Sequence, residues 1–273
     1  MLSFAGAGAS HAGRVREQNE DSALLAPYLA LVADGVGGAA AGEVASATAA
    51  SVFAEGVRGR RGEEPARAVQ AALVDVGERL THGVEGVPER GGMATTMTAV
   101  VTDGSRVVLA HVGDSRCYLF RDGDLTRVST DHTYVQKLVD DGFMTPEAVR
   151  HHPWRHVVVR SLHSAADGPI GPADLVDLAV GPGDRLLLCS DGLTDLITEQ
   201  RIAEILHAPS PEAAAGRLVA DALDSGGTDN VTCVVLDLAE AAPDFDDEGE
   251  AFGAVCDVAN VIGVGDPVRD SRS

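Results

Sequence analysis

The chain has 273 residues, 45% of them apolar, enough to fill the core of one large domain or two small ones. Its formal net charge is −21, of which residues 240–273 supply −7 from nine acids against Arg269 and Arg272, leaving −14 on residues 1–239. That balance argues against nucleic acid and anionic membrane surfaces as partners, and it leaves phosphoproteins open if bound cations reverse the sign locally.

Cys117, Cys189, Cys233 and Cys256 include no close pair and no CxxC, and three of them sit in apolar, strand-like runs. They read as buried thiols of a reduced compartment, not as disulfides or a zinc site. No uninterrupted apolar run approaches the roughly 18 residues of a membrane-crossing helix, and the N-terminus lacks the pattern of a signal peptide, so the expectation is a cytoplasmic protein.

In chain order, residues 2–9 predict an opening strand and 10–21 are polar and turn-rich. Residues 22–26 and 28–33 predict two strands flanking Pro27, the second ending at Asp34-Gly35-Val36-Gly37-Gly38. An Ala-rich helix follows over 39–57, then a second over 65–83 with Val69, Leu73, Val76 and Leu80 on one face. Stretches 95–102, 106–112, 116–121 and 125–128 are β-rich, with Asp-Gly pairs at 103–104 and 122–123 as turns, which predicts an antiparallel meander. Residues 131–142 return to helical spacing, and Thr145-Pro146-Glu147 opens another short helix.

Strands are predicted at 155–162 and 175–180, and a buried one at 184–190 ends in Asp191-Gly192. Helices at 198–207 and 211–225 lead to a last strand at 230–238. From residue 240 the chain is acidic and proline-interrupted, which predicts a domain over 1–239 and a flexible tail over 240–273. Hairpins of strands with paired helices between them indicate an α+β fold.

The glycine loop after Asp34 is not a nucleotide loop. Gly37 and Gly42 have P-loop spacing, yet Glu43-Val44 stand where Lys and Ser/Thr are required; Ala40 takes the third glycine position of a dinucleotide fingerprint. An aspartate at the end of a buried strand before glycines suits a hard cation, although Asp-Gly is equally the commonest turn. Asp191 repeats the setting, Asp229 directly precedes a strand, and Asp114 follows one in Gly113-Asp114-Ser115-Arg116. Two carboxylates about 4 Å apart repel by roughly 4 kcal/mol at an effective dielectric near 20, so such a cluster requires cations if the fold assembles it. Oxygen donors point to Mg²⁺ or Mn²⁺.

Six segments in order carry a resemblance: Gly13-Arg14-Val15-Arg16-Glu17-Gln18-Asn19-Glu20-Asp21, Asp34-Gly35-Val36-Gly37-Gly38, Ala94-Thr95-Thr96, Gly113-Asp114-Ser115-Arg116, Ser190-Asp191-Gly192-Leu193 and Asp229-Asn230-Val231-Thr232. Over residues 3–238 the chain resembles the metal-dependent PP2C-type (PPM) Ser/Thr phosphatases, in the bacterial branch that opposes eukaryote-like kinases. The resemblance implies a four-layer αββα sandwich of two antiparallel sheets flanked by helices, a flap-like segment over 131–165, and a monomer acting on phosphorylated proteins such as Ser/Thr kinases and their substrates. It implies two Mn²⁺ or Mg²⁺ ions held by Asp34, Asp191, Asp229 and the Gly35 carbonyl, with Glu20 and Asp21 acting through water. Asp114 would serve a third, looser ion, and Arg16 would grip the substrate phosphate.

The residue types agree with that chemistry. No Ser or Cys has an evident base beside it, whereas a metal pair about 3.5–4 Å apart activates a bridging water for direct attack on a phosphate ester. Arg16 suits a bidentate hold on phosphate. Val36 and Ala39 stand where relatives carry histidines, so no general acid is assigned; His132, His151, His152 and His156 offer candidates but read as solvated surface residues. The alternative is a non-catalytic module that keeps the fold and binds a partner in the cleft.

Overall fold

The computed structural model describes residues 1–36, 41–150, 152–165 and 171–263. The first half contains β1 (Ser3–His11), β2 (Asp21–Ala26), β3 (Leu29–Val36), α1 (Gly42–Gly59), α2 (Pro65–Gly86), β4 (Ala94–Thr95), β5 (Met97–Thr102), β6 (Val107–Val112), β7 (Arg116–Arg121) and β8 (Asp124–Arg127). Then come α3 (Tyr134–Asp140), α4 (Pro146–Val149), β9 (Leu162–His163), β10 (Asp174–Leu178), β11 (Arg185–Cys189), α5 (Asp191–Thr194), α6 (Glu199–Leu206), α7 (Pro211–Asp224), β12 (Val231–Ala239) and β13 (Glu250–Gly253).

Local chemistry sets the helix ends. Glu64 accepts the Arg67 N–H at the start of α2 with Pro65 behind it, and Thr198 and Ser210 cap α6 and α7 in the same way. Asp122 (φ 54) and Gly123 (φ 91) both adopt the left-handed conformation that a tight two-residue hairpin demands, which joins β7 to β8.

Pairing sorts the strands into two antiparallel sheets. One runs β1-β12-β11-β7-β8; the other runs β10-β6-β5-β3-β2-β13, with β4 paired to β3 and β9 paired to β4. Period-2 alternation builds the layers. On β3, Leu29 and Leu31 pack with Phe53, Val69 and Leu80 of α1 and α2, while Ala30 and Val32 face Leu186, Leu188, Val234 and Leu236 of the other sheet. That sheet turns Leu187, Cys189 and Val235 toward Ile202, Leu218 and Ala222 of α6 and α7. The result is the four-layer αββα sandwich, and burial on both faces explains why its central strands are unbroken apolar runs.

Several expectations need correction. The meander does not stay in one sheet: β5 and β6 lie in one, β7 and β8 in the other, and Gly113-Asp114-Ser115 crosses between them. Sequence alternation reports which face of a strand is buried, not which sheet receives it. Asp34 does not end its strand, because Gly35 and Val36 go on to pair with Thr95 and Ala94. The strand expected over 155–162 does not form as such: only its last residue, Leu162, enters a strand (β9), a lone bridge joins Thr133 to Val158, and Val157 and Val159 are exposed. The predicted start of the first helix, including Ala39, falls outside the described residues, as do Gly37, Gly38 and His151.

The tail differs most. Residues 240–263 dock on the outside of α1, α2 and β2. Phe245 stacks on Tyr28 with ring centroids 5.0 Å apart, and β13 extends the sheet antiparallel to β2. Ile262 is 1% exposed and packs against Gly83, where an added Cβ would come within 2.2 Å of its Cδ1. Arg58–Glu248 (2.8 Å) and Arg61–Asp246 pair its acids with α1 and the turn after it. A few apolar anchors spaced through an acidic run suffice to hold it. Among the described residues, no helix is long and apolar enough to cross a membrane.

Candidate metal centre

Each recurring sequence segment has a mechanical role at one end of the sandwich. Asp34 and Asp21 face one another in the β2–β3 register. Ala94-Thr95-Thr96 clamps the Asp34 backbone: its N–H donates to Thr96 Oγ1 (2.9 Å), and its carbonyl accepts from Thr96 N (2.9 Å) and Thr95 Oγ1 (3.0 Å). Thr96 Oγ1 in turn pairs with Ser115 Oγ at 2.8 Å, so the clamp reaches the crossover that carries Asp114. Gly113 (φ 110) permits that approach, because a Cβ there would lie 2.5 Å from Thr96 Cβ.

From the other sheet, Ser190 and Thr232 hold the ends of β11 and β12 together through Ser190 N–H to the Thr232 carbonyl and Thr232 N–H to Ser190 Oγ, each 3.0 Å. Gly192 is required because a Cβ would sit 1.9 Å from the Asn230 carbonyl oxygen. Asn230 accepts the Glu20 N–H (2.7 Å) and donates to the Gln18 (2.8 Å) and Ala12 (3.0 Å) carbonyls. It thereby ties the loop bearing Arg16 to Asp229 beside it. Arg16 Nη2 donates to Asp229 Oδ2 at 2.8 Å, and its charged form is further favoured by Glu20 and Asp34.

The electrostatics show what has been brought together. Asp34 is half-buried, yet densely surrounded by protein. Burial first, then the charges of Asp21, Asp191, Asp114 and Asp229, hold its carboxyl well above the ordinary range. Asp21 is fully buried; burial pushes it up to about 7 against the hydrogen bond from Ser190. Its Oδ2 accepts from Ser190 Oγ at 2.7 Å, while Oδ1 has no partner among the described residues. Asp114 is driven up to about 8 by burial, then by Asp191 and Asp131. Glu20 is raised by burial and by Glu43. The candidate ligands from distant parts of the chain therefore act on one another at a single site. A divalent cation fits the donor set: it offsets crowded carboxylates and gives the orphaned Asp21 oxygen a use, directly or through water.

The histidines separate under structure. His132 is buried, not solvated: its Nδ1 accepts from Gly113 N–H (3.0 Å), and its Nε2 lies 3.1 Å from Asp174. His156 is at the cleft, near Asp191 and Asp195. Asp131 was not singled out from the sequence, yet it holds Arg116 with two oxygens at 2.6–3.1 Å beneath Asp114. The missed signal is local: Asp131-His132 sits where an extended segment turns into the α3 cap.

Residues 7–223 match the family model described as protein phosphatase 2C. The chain belongs to the protein phosphatase 2C family. Among its relatives, the serine/threonine protein phosphatase PstP of Mycobacterium tuberculosis is 42% identical over 85% of this chain and 44% of its own length. The chain thus spans less than half of that protein. The serine/threonine phosphatase stp of Listeria monocytogenes is 32% identical over 82% of this chain and 92% of its own length. A crystal structure of the PstP catalytic domain in complex with two manganese ions is 40% identical, covers 88% of this chain and 100% of that one, and gives a TM-score of 0.80. The two-sheet protein phosphatase 2C architecture is therefore that of this chain.

Proposed function

We propose that this chain hydrolyses phosphoserine and phosphothreonine in proteins, using two Mn²⁺ or Mg²⁺ ions, and opposes Ser/Thr kinases as a cytoplasmic monomer. The observation that carries this reading is the mutual crowding of Asp21, Asp34, Asp114, Asp191 and Asp229 at the ends of both sheets, with one buried oxygen of Asp21 left unpartnered among the described residues. Three buried free thiols, Cys117, Cys189 and Cys233, support the reducing compartment.

Asp34, Asp191, Asp229 and the Gly35 carbonyl would hold the ion pair, Glu20 and Asp21 would support it through water, and Asp114 would face a third ion. Bound there, the ions supply the positive charge that lowers the pKa of a coordinated water and offsets charge on the phosphoryl oxygens. The protein's own residues do the rest. The Asn230 ties fix Arg16 over Asp229, so that once Asp229 is engaged the guanidinium is free to grip phosphate with two donors. Val36, which is exposed, offers no proton to the leaving alcohol. The carbonyl position of Gly35 depends on its lack of a side chain, since a Cβ would meet the Gly42 oxygen at 2.2 Å.

The test is hydrolysis of a phosphothreonine peptide by the purified chain with Mn²⁺, with chelator, and in Asp34→Asn. Activity that requires metal and Asp34 is expected. A folded protein that binds Mn²⁺ yet hydrolyses nothing would establish the partner-binding module instead.

A further inference from the structure

The crossover that carries Asp114 is held from both flanks. On the downstream side, the Ser115 carbonyl accepts from Thr98 Oγ1 at 3.0 Å and the Ser115 hydroxyl pairs with Thr96 at 2.8 Å, both partners coming from β5 or the residue before it. On the upstream side one residue from a distant segment does the work. The Gly113 carbonyl accepts the His132 N–H at 2.7 Å, and the Gly113 N–H donates to His132 Nδ1 at 3.0 Å. These two bonds grip the peptide units on either side of the Gly113 Cα, and the second unit leads straight into Asp114.

The remaining bonds of the ring decide which nitrogen faces Gly113. An amide N–H can only donate, so Nδ1 carries the lone pair, and Nε2 carries the proton that it donates to Asp174 Oδ2 at 3.1 Å. Arg160 Nη1 donates to the other oxygen of that carboxylate at 2.9 Å and so holds it in place. The His132 carbonyl accepts the Val159 N–H at 2.8 Å, which brings the start and the return of the 131–160 stretch together at this residue. Burial keeps the ring neutral, with its pKa below the ordinary histidine value. An apolar side chain could fill the same space, but it would leave the N–H of the buried Gly113 without its acceptor.

We propose that His132 is a positioning residue for the phosphatase reaction: its Nδ1 and main-chain N–H set the Gly113 backbone so that Asp114 is aimed into the cleft, and Asp174 with Arg160 holds the ring in the one tautomer that can do so. The cleft, of about 640 Å³, is lined by Asp114 and Asp191, whereas His132 lies behind its wall. It acts through Asp114 and touches neither substrate nor ion. For what Asp114 does there, the proposal rests on the phosphatase reading; for how Asp114 is placed, it rests on the hydrogen bonds alone.

Two substitutions separate the functions of the ring. His132→Asn keeps an oxygen acceptor where Nδ1 stood and loses the arm to Asp174, whereas His132→Gln reaches Asp174 and offers Gly113 nothing. With a phosphothreonine peptide as substrate, the Mn²⁺ concentration for half-maximal rate should stay within about threefold of wild type in His132→Asn and rise about tenfold or more in His132→Gln. Hydrogen exchange at the Gly113 amide should quicken in His132→Gln and not in His132→Asn. Equal impairment of the two variants, or a His132→Gln protein with the wild-type Mn²⁺ requirement, overturns the positioning role. Asp174→Ala, on a side chain 44% exposed, leaves the histidine cavity untouched and should raise the Mn²⁺ requirement about threefold by freeing the tautomer. Should neither histidine variant fold, an unchanged requirement in Asp174→Ala overturns the proposal. A wild type that hydrolyses nothing would remove the functional reading; Mn²⁺ affinity by calorimetry in the same proteins would then decide the positioning role by the same ranking.

Discussion

Ser190 donates its hydroxyl proton to Asp21 Oδ2 at 2.7 Å, across the gap between the two sheets. Ser190 follows β11 in one sheet and Asp21 opens β2 in the other, so this bond fixes the two halves of the carboxylate cluster relative to each other.

Ser190→Ala should therefore be costly despite its small size. It removes the donor to a fully buried carboxyl whose other oxygen already has no partner among the described residues. We expect a loss of about 1–3 kcal/mol in urea unfolding without metal, and weaker Mn²⁺ binding by isothermal titration. An unchanged unfolding midpoint would show that Asp21 does not depend on this bond.

Metal should stabilise the fold by mass action. Mn²⁺ at about 100 times its dissociation constant should contribute roughly 2.7 kcal/mol and raise the melting temperature, and chelation should reverse the gain. Asp191→Ala should abolish most of the rise. The same shift in wild type and variant would remove Asp191 from the ligand set.

Residues 240–263 should behave as part of the domain. Ile262→Ala empties a site 1% exposed between α1 and α2 and should cost about 2–5 kcal/mol. Ending the chain at residue 239 should lower the melting temperature at least as much. A truncated protein that melts with the full chain would restore the flexible tail.

His111 gives the acid limb of stability a specific source. Burial, then the neighbouring His132, lowers its pKa to about 4, while Thr98 Oγ1 (2.9 Å) and the Thr130 carbonyl (2.9 Å) occupy its nitrogens. The folded protein keeps it neutral where the unfolded chain, near 6.5, takes up a proton. Its contribution is thus complete above about pH 6.5 and is lost as pH falls toward 4, by up to about 3 kcal/mol. The raised carboxyls Asp21 and Asp114 tilt the profile the other way, since the folded state retains their protons longer. The comparison that isolates His111 is wild type against His111→Gln in urea at pH 7 and pH 5: the variant should lose less on acidification.

Much of this arrangement was legible in the sequence because its parts are local. A buried run that stops at Asp-Gly identifies Asp34 and Asp191, and hairpin turns identify β7 and β8. Partnership between distant segments was not legible. Nothing in residues 106–121 says that β6 and β7 belong to different sheets, and the crossover at Gly113 is visible only through its contact with Thr96. Phe245, Phe252 and Ile262 are too sparse in an acidic stretch to announce a docked segment. His156 and Asp195 meet only because a loop folds over one helical turn, although the i, i+4 spacing of Asp191 and Asp195 was there to be read.

The placement of β13 bears on what the protein avoids. Uncovered, β2 would offer a row of free amides and carbonyls for recruiting a foreign strand, the first step toward fibre-like aggregation. β13 moves that border to four residues that follow Gly249 (φ 72) and end at Gly253 (φ 77), with Glu250 at their start. So short, bent and charged a margin makes a poor template, and the acidic terminus thereby guards solubility.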